Sequence, residues 1–311
     1  MKLPLLTLLF FVLANVACKN KPAEVKNSTS APDSLTALPE PARILEKEGV
    51  KYAYPHWSAD GKRILYQTNE SGKWQIAMMD ADGKNNHILF KDTFNSNFMD
   101  WSPDNKKICF VSDRDGNEEI YIMDANGMNQ RRITHDPGRD IHPYFTPDGS
   151  RIYFNSSRGE NGDLNIWEMN TEGAELKQIT RSTDDETCAR LSPDGHSLLY
   201  LRNNALGFDD VMVLDLNNLV ESNISQTKEP DGWPCWGPNG AYIVFSTAFT
   251  AEHFQLWKYD IITSEKTELS APNLGLSDGR ANVDADGKKI IFNRENTTLP
   301  NTIGIYSQAI H

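Results

Sequence analysis

A five-residue turn motif returns six times along this 311-residue chain, and that return restricts the fold more than any other feature of the sequence. The copies read Trp57-Ser58-Ala59-Asp60-Gly61, Trp101-Ser102-Pro103-Asp104-Asn105, Phe145-Thr146-Pro147-Asp148-Gly149, Leu191-Ser192-Pro193-Asp194-Gly195, Trp236-Gly237-Pro238-Asn239-Gly240 and Val283-Asp284-Ala285-Asp286-Gly287. Their acidic or amide positions lie 44, 44, 46, 45 and 47 residues apart. A fixed period of that size marks one supersecondary unit stacked on copies of itself, and about 40–45 residues is the length of a four-stranded propeller blade. Six periods predict six blades.

Each repeat reads as strand, turn, strand, loop, strand, turn, strand. In the third, Pro143 to Thr146 is the first strand, and Thr-Pro-Asp-Gly supplies the Pro and Gly positions that a type I turn favours. The second strand, Arg151 to Asn155, has counterparts in Ile64-Leu65-Tyr66, Ile108 to Val111, Leu198-Leu199-Tyr200, Ile243-Val244-Phe245 and Ile290-Ile291-Phe292. Short apolar runs rich in β-branched and aromatic residues between turn signals read as strands covered on both faces. Third strands recur as Gln75 to Asp80, Glu119 to Asp124, Asn165 to Asn170, Asp210 to Asp215 and Gln255 to Asp260. Fourth strands such as Arg131 to Thr134 and Lys177 to Thr180 are short and polar, which suits an exposed edge.

The sixth repeat stops after its third strand, Ile303 to Ser307. Upstream of the first repeat, Ala42-Arg43-Ile44-Leu45 precedes Tyr54-Pro55-His56-Trp57 much as Arg131-Arg132-Ile133-Thr134 precedes His142-Pro143-Tyr144-Phe145. The N-terminal segment is therefore expected to complete the last blade and close the ring. The fold class is an all-β, six-bladed propeller of four-stranded antiparallel blades, occupying residues 42–311.

Residues 1–17 carry Lys2 and an apolar run too short to span a bilayer, which needs about 20 apolar residues; the layout is that of a secretory signal. Asn15-Val16-Ala17-Cys18 resembles a lipobox, so Cys18 is the expected lipidation site. Lys19, where inner-membrane retention would call for Asp, favours the outer membrane. Residues 18–41, rich in Lys, Ser, Pro, Ala and Glu, have the composition of a flexible tether. The net charge of −12 argues against nucleic acid and acidic membrane surfaces as direct ligands. Three cysteines follow the tether, Cys109, Cys188 and Cys235; none has zinc-site spacing, and Cys188 and Cys235 sit where a bridge can be envisaged.

The turn motif, joined to stretches such as Ser112-Asp113-Arg114-Asp115-Gly116-Asn117-Glu118-Glu119-Ile120-Tyr121-Ile122-Met123-Asp124, resembles the repeats of the TolB propeller family. The resemblance covers residues 42–311 and implies a TolB-like module in the cell envelope. TolB docks on the peptidoglycan-associated lipoprotein and carries an extra α/β domain before its propeller, for which this chain has no room. Related propellers in oligogalacturonate lyases imply an alternative, a metal-dependent polysaccharide lyase or hydrolase.

Chemistry is sparsely signalled. There is no Gly-x-Ser-x-Gly elbow, no His-Glu-x-x-His and no phosphate-binding loop, and no catalytic residue, cofactor or metal is assigned. Ser225-Gln226-Thr227-Lys228 matches Ser-x-x-Lys without companion motifs, and Asp113 to Asn117 lacks the downstream acid of a calcium loop. Ring geometry offers better candidates. First strands surround the axis, and counting one and three residues back from each Trp-type position gives Tyr54, His56, Phe98, Asp100, His142, Tyr144, Arg190, Trp233 and Arg280, with Cys188, Cys235, Asn282 completing the set. These vary while the frame repeats, as expected of ligand contacts; the competing reading is that they fill space between blades. Aromatic faces would stack on sugars or apolar side chains, and Arg190 and Arg280 would hold a carboxylate. The expected partner is an envelope protein, peptide or glycan bound at this mouth by a lipid-anchored monomer. In the enzyme alternative, His56 and His142 would be the metal ligands.

Overall fold

The computed structural model describes residue 38, residues 40–250 and residues 253–310. The signal segment, Cys18 and nearly all of the tether lie outside the described residues, so the lipobox and anchor expectations are not addressed by it. Residues Leu38–His311 form one compact unit.

That unit is a ring of six four-stranded antiparallel sheets. Within blades 1 to 5 the strands are hydrogen-bonded in chain order from the axis outward, so blade 3 runs Asp140–Phe145, Arg151–Ser156, Asn165–Asn170, Lys177–Gln178. The first strand begins earlier than the turn motif alone suggests, and the fourth pairs over only two residues. The closing expectation holds: Ala42–Leu45 pairs antiparallel with Thr302–Ala309 and completes blade 6. Gly49 N–H donates to Thr302 Oγ1 at 3.0 Å and the Tyr306 hydroxyl to Glu46 Oε2 at 2.7 Å, so the first and last described strands are tied together in one sheet.

The second strands are almost wholly buried because each is sandwiched between neighbouring blades. Successive seams are filled by separate apolar clusters. Leu65 and Met78 of blade 1 meet Trp101 and Phe110 of blade 2, and Ile64 and Met79 meet Ile291 and Ile305 of blade 6 across the closing seam.

The repeated turn is held by its own side chains. In the first four copies the Ser or Thr hydroxyl donates to the turn carboxylate at 2.6 Å, as in Ser58 to Asp60 and Ser192 to Asp194. The same hydroxyl oxygen accepts the N–H five residues on, from Arg63, Lys107, Arg151 and Ser197. Blade 5 has Gly237 instead, for a steric reason: a Cβ there would lie 2.5–2.8 Å from the Tyr242 ring.

Candidate functional site

Every first strand breaks register with its neighbour at one place, between Ala53 and His56, Asn97 and Asp100, Ile141 and Tyr144, Thr187 and Arg190, Gly232 and Cys235, and Gly279 and Asn282. Each break is a β-bulge, and its left-handed residue is Tyr54, Phe98, His142, Cys188, Trp233 or Arg280, with φ between +47° and +56°. None of these is glycine, and a side chain in that region costs on the order of 1–3 kcal/mol. The bulge turns the side chains inward, where they meet. Tyr54 packs edge-on against Phe98 at 5.0 Å and Phe98 against His142 at 4.3 Å. His142 Nδ1 lies 3.9 Å from Cys188 Sγ, and Arg280 stacks over Trp233 at 4.0 Å and Tyr54 at 4.5 Å.

Two residues further along, a second tier fills the axis. Arg190 of blade 4 reaches across to His56 of blade 1, Nη2 to Nε2 at 2.9 Å, while lying 4.1 Å over Tyr144. Since guanidinium only donates, His56 Nε2 accepts, and its Nδ1–H donates to Asp100 Oδ1 at 3.1 Å. The other Asp100 oxygen accepts the Phe145 N–H at 3.0 Å, and Asn282 Oδ1 accepts the Trp57 N–H at 2.9 Å.

The electrostatics follow from this crowding. Burial, then Arg190, lowers the pKa of His56 against the opposing pull of Asp100. Burial, then Arg280, Arg139 and Arg190, takes His142 down to about 3. Burial pushes the thiols of Cys188 and Cys235 up to about 11. These two and Cys109 are free and buried. The envisaged Cys188–Cys235 bridge is absent because the residues belong to different tiers and pack in different apolar clusters.

Thus the nine residues singled out from the sequence converge on the axis in two layers rather than at one mouth. Tyr54, Phe98, His142, Trp233 and Arg280 form the first layer, nearer the face where first strands begin; His56, Asp100, Tyr144 and Arg190 form the second. The cavity left between them measures about 10 Å³, room for one water at most. Tyr54, Phe98, Trp233 and Arg280 are half-buried, and Phe254 extends their aromatic surface by packing on Trp233 at 5.5 Å. His56 and His142 fall in separate layers, with both His56 nitrogens already engaged. Among the described residues no group of three or more His, Cys, Asp or Glu side chains is placed to hold a metal.

Counting along the sequence does not find what holds the bulges. Asn293 Oδ1 accepts the Tyr54 N–H at 3.0 Å while its Nδ2 donates to the Tyr52 carbonyl at 2.8 Å. Asn155 treats the Cys188 N–H and Glu186 carbonyl in the same way, and Gln67 accepts the Phe98 N–H. Each amide occupies the fifth place of a second strand in the preceding blade, directly after a three-residue apolar run, which is the signal that marks them. Replacing Asn293 with Ala leaves two backbone groups unpaired and is expected to cost about 2–3 kcal/mol. A urea titration should show a lower midpoint with an unchanged slope; an unchanged midpoint would refute the capping role.

Comparison with known proteins agrees with this architecture. A family model described as the TolB beta propeller domain matches residues 41–280. TolB from Acinetobacter baumannii is similar in structure, with 24% identity and a TM-score of 0.62 over 72% of this chain and 55% of that one. A protein described as a TolB from Agrobacterium tumefaciens gives 16% identity and a TM-score of 0.63 over 86% of this chain and 93% of that one. An oligogalacturonate lyase in complex with manganese gives 12% and 0.60 over 86% of this chain and 92% of that one. At these identities the structural likenesses bear on the fold, and the chain spans only 55% of the Acinetobacter protein. Comparison with curated proteins gives no match. The repeats, the closed ring and the match over residues 41–280 together make this chain a member of the TolB β-propeller family.

Proposed function

We propose that this protein is a non-catalytic binding module of the bacterial envelope, anchored through a lipid on Cys18, that takes a carboxylate-bearing protein segment, peptide or glycan at the axial mouth. One observation carries the reading. Arg280, half-exposed in the first layer, stacks on two aromatic rings and meets no carboxylate among the described residues, and its Nε–H is buried without an acceptor. Arg190 beneath it likewise has an unpaired Nε–H. Uncompensated guanidinium charge in a protein of net charge −12 is what an anionic ligand would complete. The ligand sits on the layer and not within the axis, because the axis is filled.

Replacing Trp233 and Arg280 together with Ala is expected to reduce capture of the partner from envelope extract tenfold or more, since loss of central anchors commonly costs about 2 kcal/mol or above. Quantitative mass spectrometry of the captured fraction reads this, with thermal unfolding as the control. Unchanged capture alongside collapsed stability would mean that these side chains serve packing alone.

A further inference from the structure

Blade 3 departs from blades 1 and 2 at one point. Between its second and third strands, Ser156 and Asn165 are separated by residues 157–164, whereas the corresponding loops are 69–74 and 113–118. The turns and loops that follow are equal in length in all three, so the surplus of two residues is confined to this hairpin. Gly159, Glu160, Asn161 and Asp163 of the longer loop wall a cavity of about 450 Å³ on the hairpin side of the blade, within the range of small-ligand sites. Its other lining includes Trp167, Gln178 and Arg181.

Blade 2 closes the equivalent space with its own ion pairs. Arg132 bonds Glu119 at 2.6 Å and Asp115 at 3.2 Å, the Tyr121 hydroxyl bonds Asp115, and Arg114 lies 4.7 Å over Tyr121. Tyr121 pairs with Arg132 across the strands as Trp167 pairs with Gln178, which fixes the correspondence. In blade 3 the positions of Arg132, Glu119 and Asp115 hold Gln178, Asn165 and Gly159. The three charges that form its ion pairs have become a neutral amide or nothing, while Arg114 has a counterpart in Arg158. Gln178 Nε2 donates to Asn165 Oδ1 at 3.2 Å, and Arg158, 5.4 Å over the Trp167 ring, bonds Asp140 at 2.6 Å.

What remains is a polar pocket in which four side chains lack partners. The side chains of Glu160, Asn161, Asp163 and Arg181 make no hydrogen bond or ion pair among the described residues. Donors and acceptors are both present; Arg158 is committed to Asp140, so Arg181 offsets one of the two acids and the pocket holds no excess positive charge that would call for an anion. A ligand that is neutral overall, and whose groups donate and accept in turn, satisfies that set; sugar hydroxyls do both. We propose that this pocket binds a neutral oligosaccharide, at a site separate from the axial mouth.

The test is saturation-transfer NMR and calorimetry on the whole protein in detergent, with neutral tetrasaccharides of glucose, mannose and N-acetylglucosamine as probes. At least one is expected to bind. Rebuilding the blade 2 network with Gly159→Asp and Gln178→Arg should weaken that binding at least tenfold; a Cβ at Gly159 meets nothing within 4 Å, so the change is sterically free. Deleting Glu160 and Asn161 is the second variant and should do the same. Arg280→Ala should leave sugar binding unchanged while impairing the axial site. The proposal is overturned if no tetrasaccharide binds, if binding survives both blade 3 variants, or if Arg280→Ala abolishes it, in which case the sugar occupies the axis.

Discussion

A chain beginning at Gly49 is expected to unfold about 6–20 °C below one beginning at Pro41, while the latter matches the longer protein. The two chains differ by residues 41–48. Ala42–Leu45 supplies the outermost strand of blade 6, and Ile44 and Leu45 pack against the cluster that joins blades 6 and 1. Without them the last strand presents an open edge, the Tyr306–Glu46 bond is lost, and apolar surface at the closing seam meets water. Two partly buried aliphatic side chains and several strand hydrogen bonds amount to about 3–5 kcal/mol. At about 2–4 °C per kcal/mol for domains of this size class, that gives the stated shift. Equal melting temperatures and equal cooperativity for the two chains would exclude closure as a stabilising device.

That closing strand was legible because its sequence parallels a fourth strand elsewhere in the repeat. The blade count was legible for the same reason: Ser58 and Asp60, and their counterparts, recur in the first four turns because there a hydroxyl and a carboxylate satisfy the turn's own backbone. The axial residues could be found by counting back from the turns. Their separation into two layers could not, because a bulge inserts a residue without altering the period. The positive φ at His142 or Trp233 is equally hidden, since neither residue type announces a left-handed conformation. Blade 3 shows the limit most clearly. The spacing of 46 between Asp148 and Asp194 records two extra residues, yet only the strand boundaries assign them to the hairpin after Ser156.

The first layer also makes the ring sensitive to acid. Burial, then the charges of Arg280, Arg139 and Arg190, lowers the folded pKa of His142 to about 3, whereas an unfolded histidine titrates near 6.5. Below 6.5 the unfolded chain binds a proton that the folded ring refuses. The stabilisation from keeping His142 neutral is therefore complete above that pH and is lost as pH falls, at about 1.4 kcal/mol per unit, down to about 3. His56, lowered by burial and Arg190, acts in the same direction. The buried carboxylates Asp140, Glu186, Asp231 and Asp278 act oppositely, because burial raises their pKa. A comparison of variants cancels them. Asn is the substitution to use, since it tolerates the left-handed backbone that His142 adopts at φ +49°. Between pH 7.5 and 4.5, His142→Asn should lose about 2–3 kcal/mol less than the parent. Denaturant unfolding across that range measures it; parallel stability curves would mean that His142 takes up its proton in the folded ring, and that the axis is wetter than its 10 Å³ cavity allows.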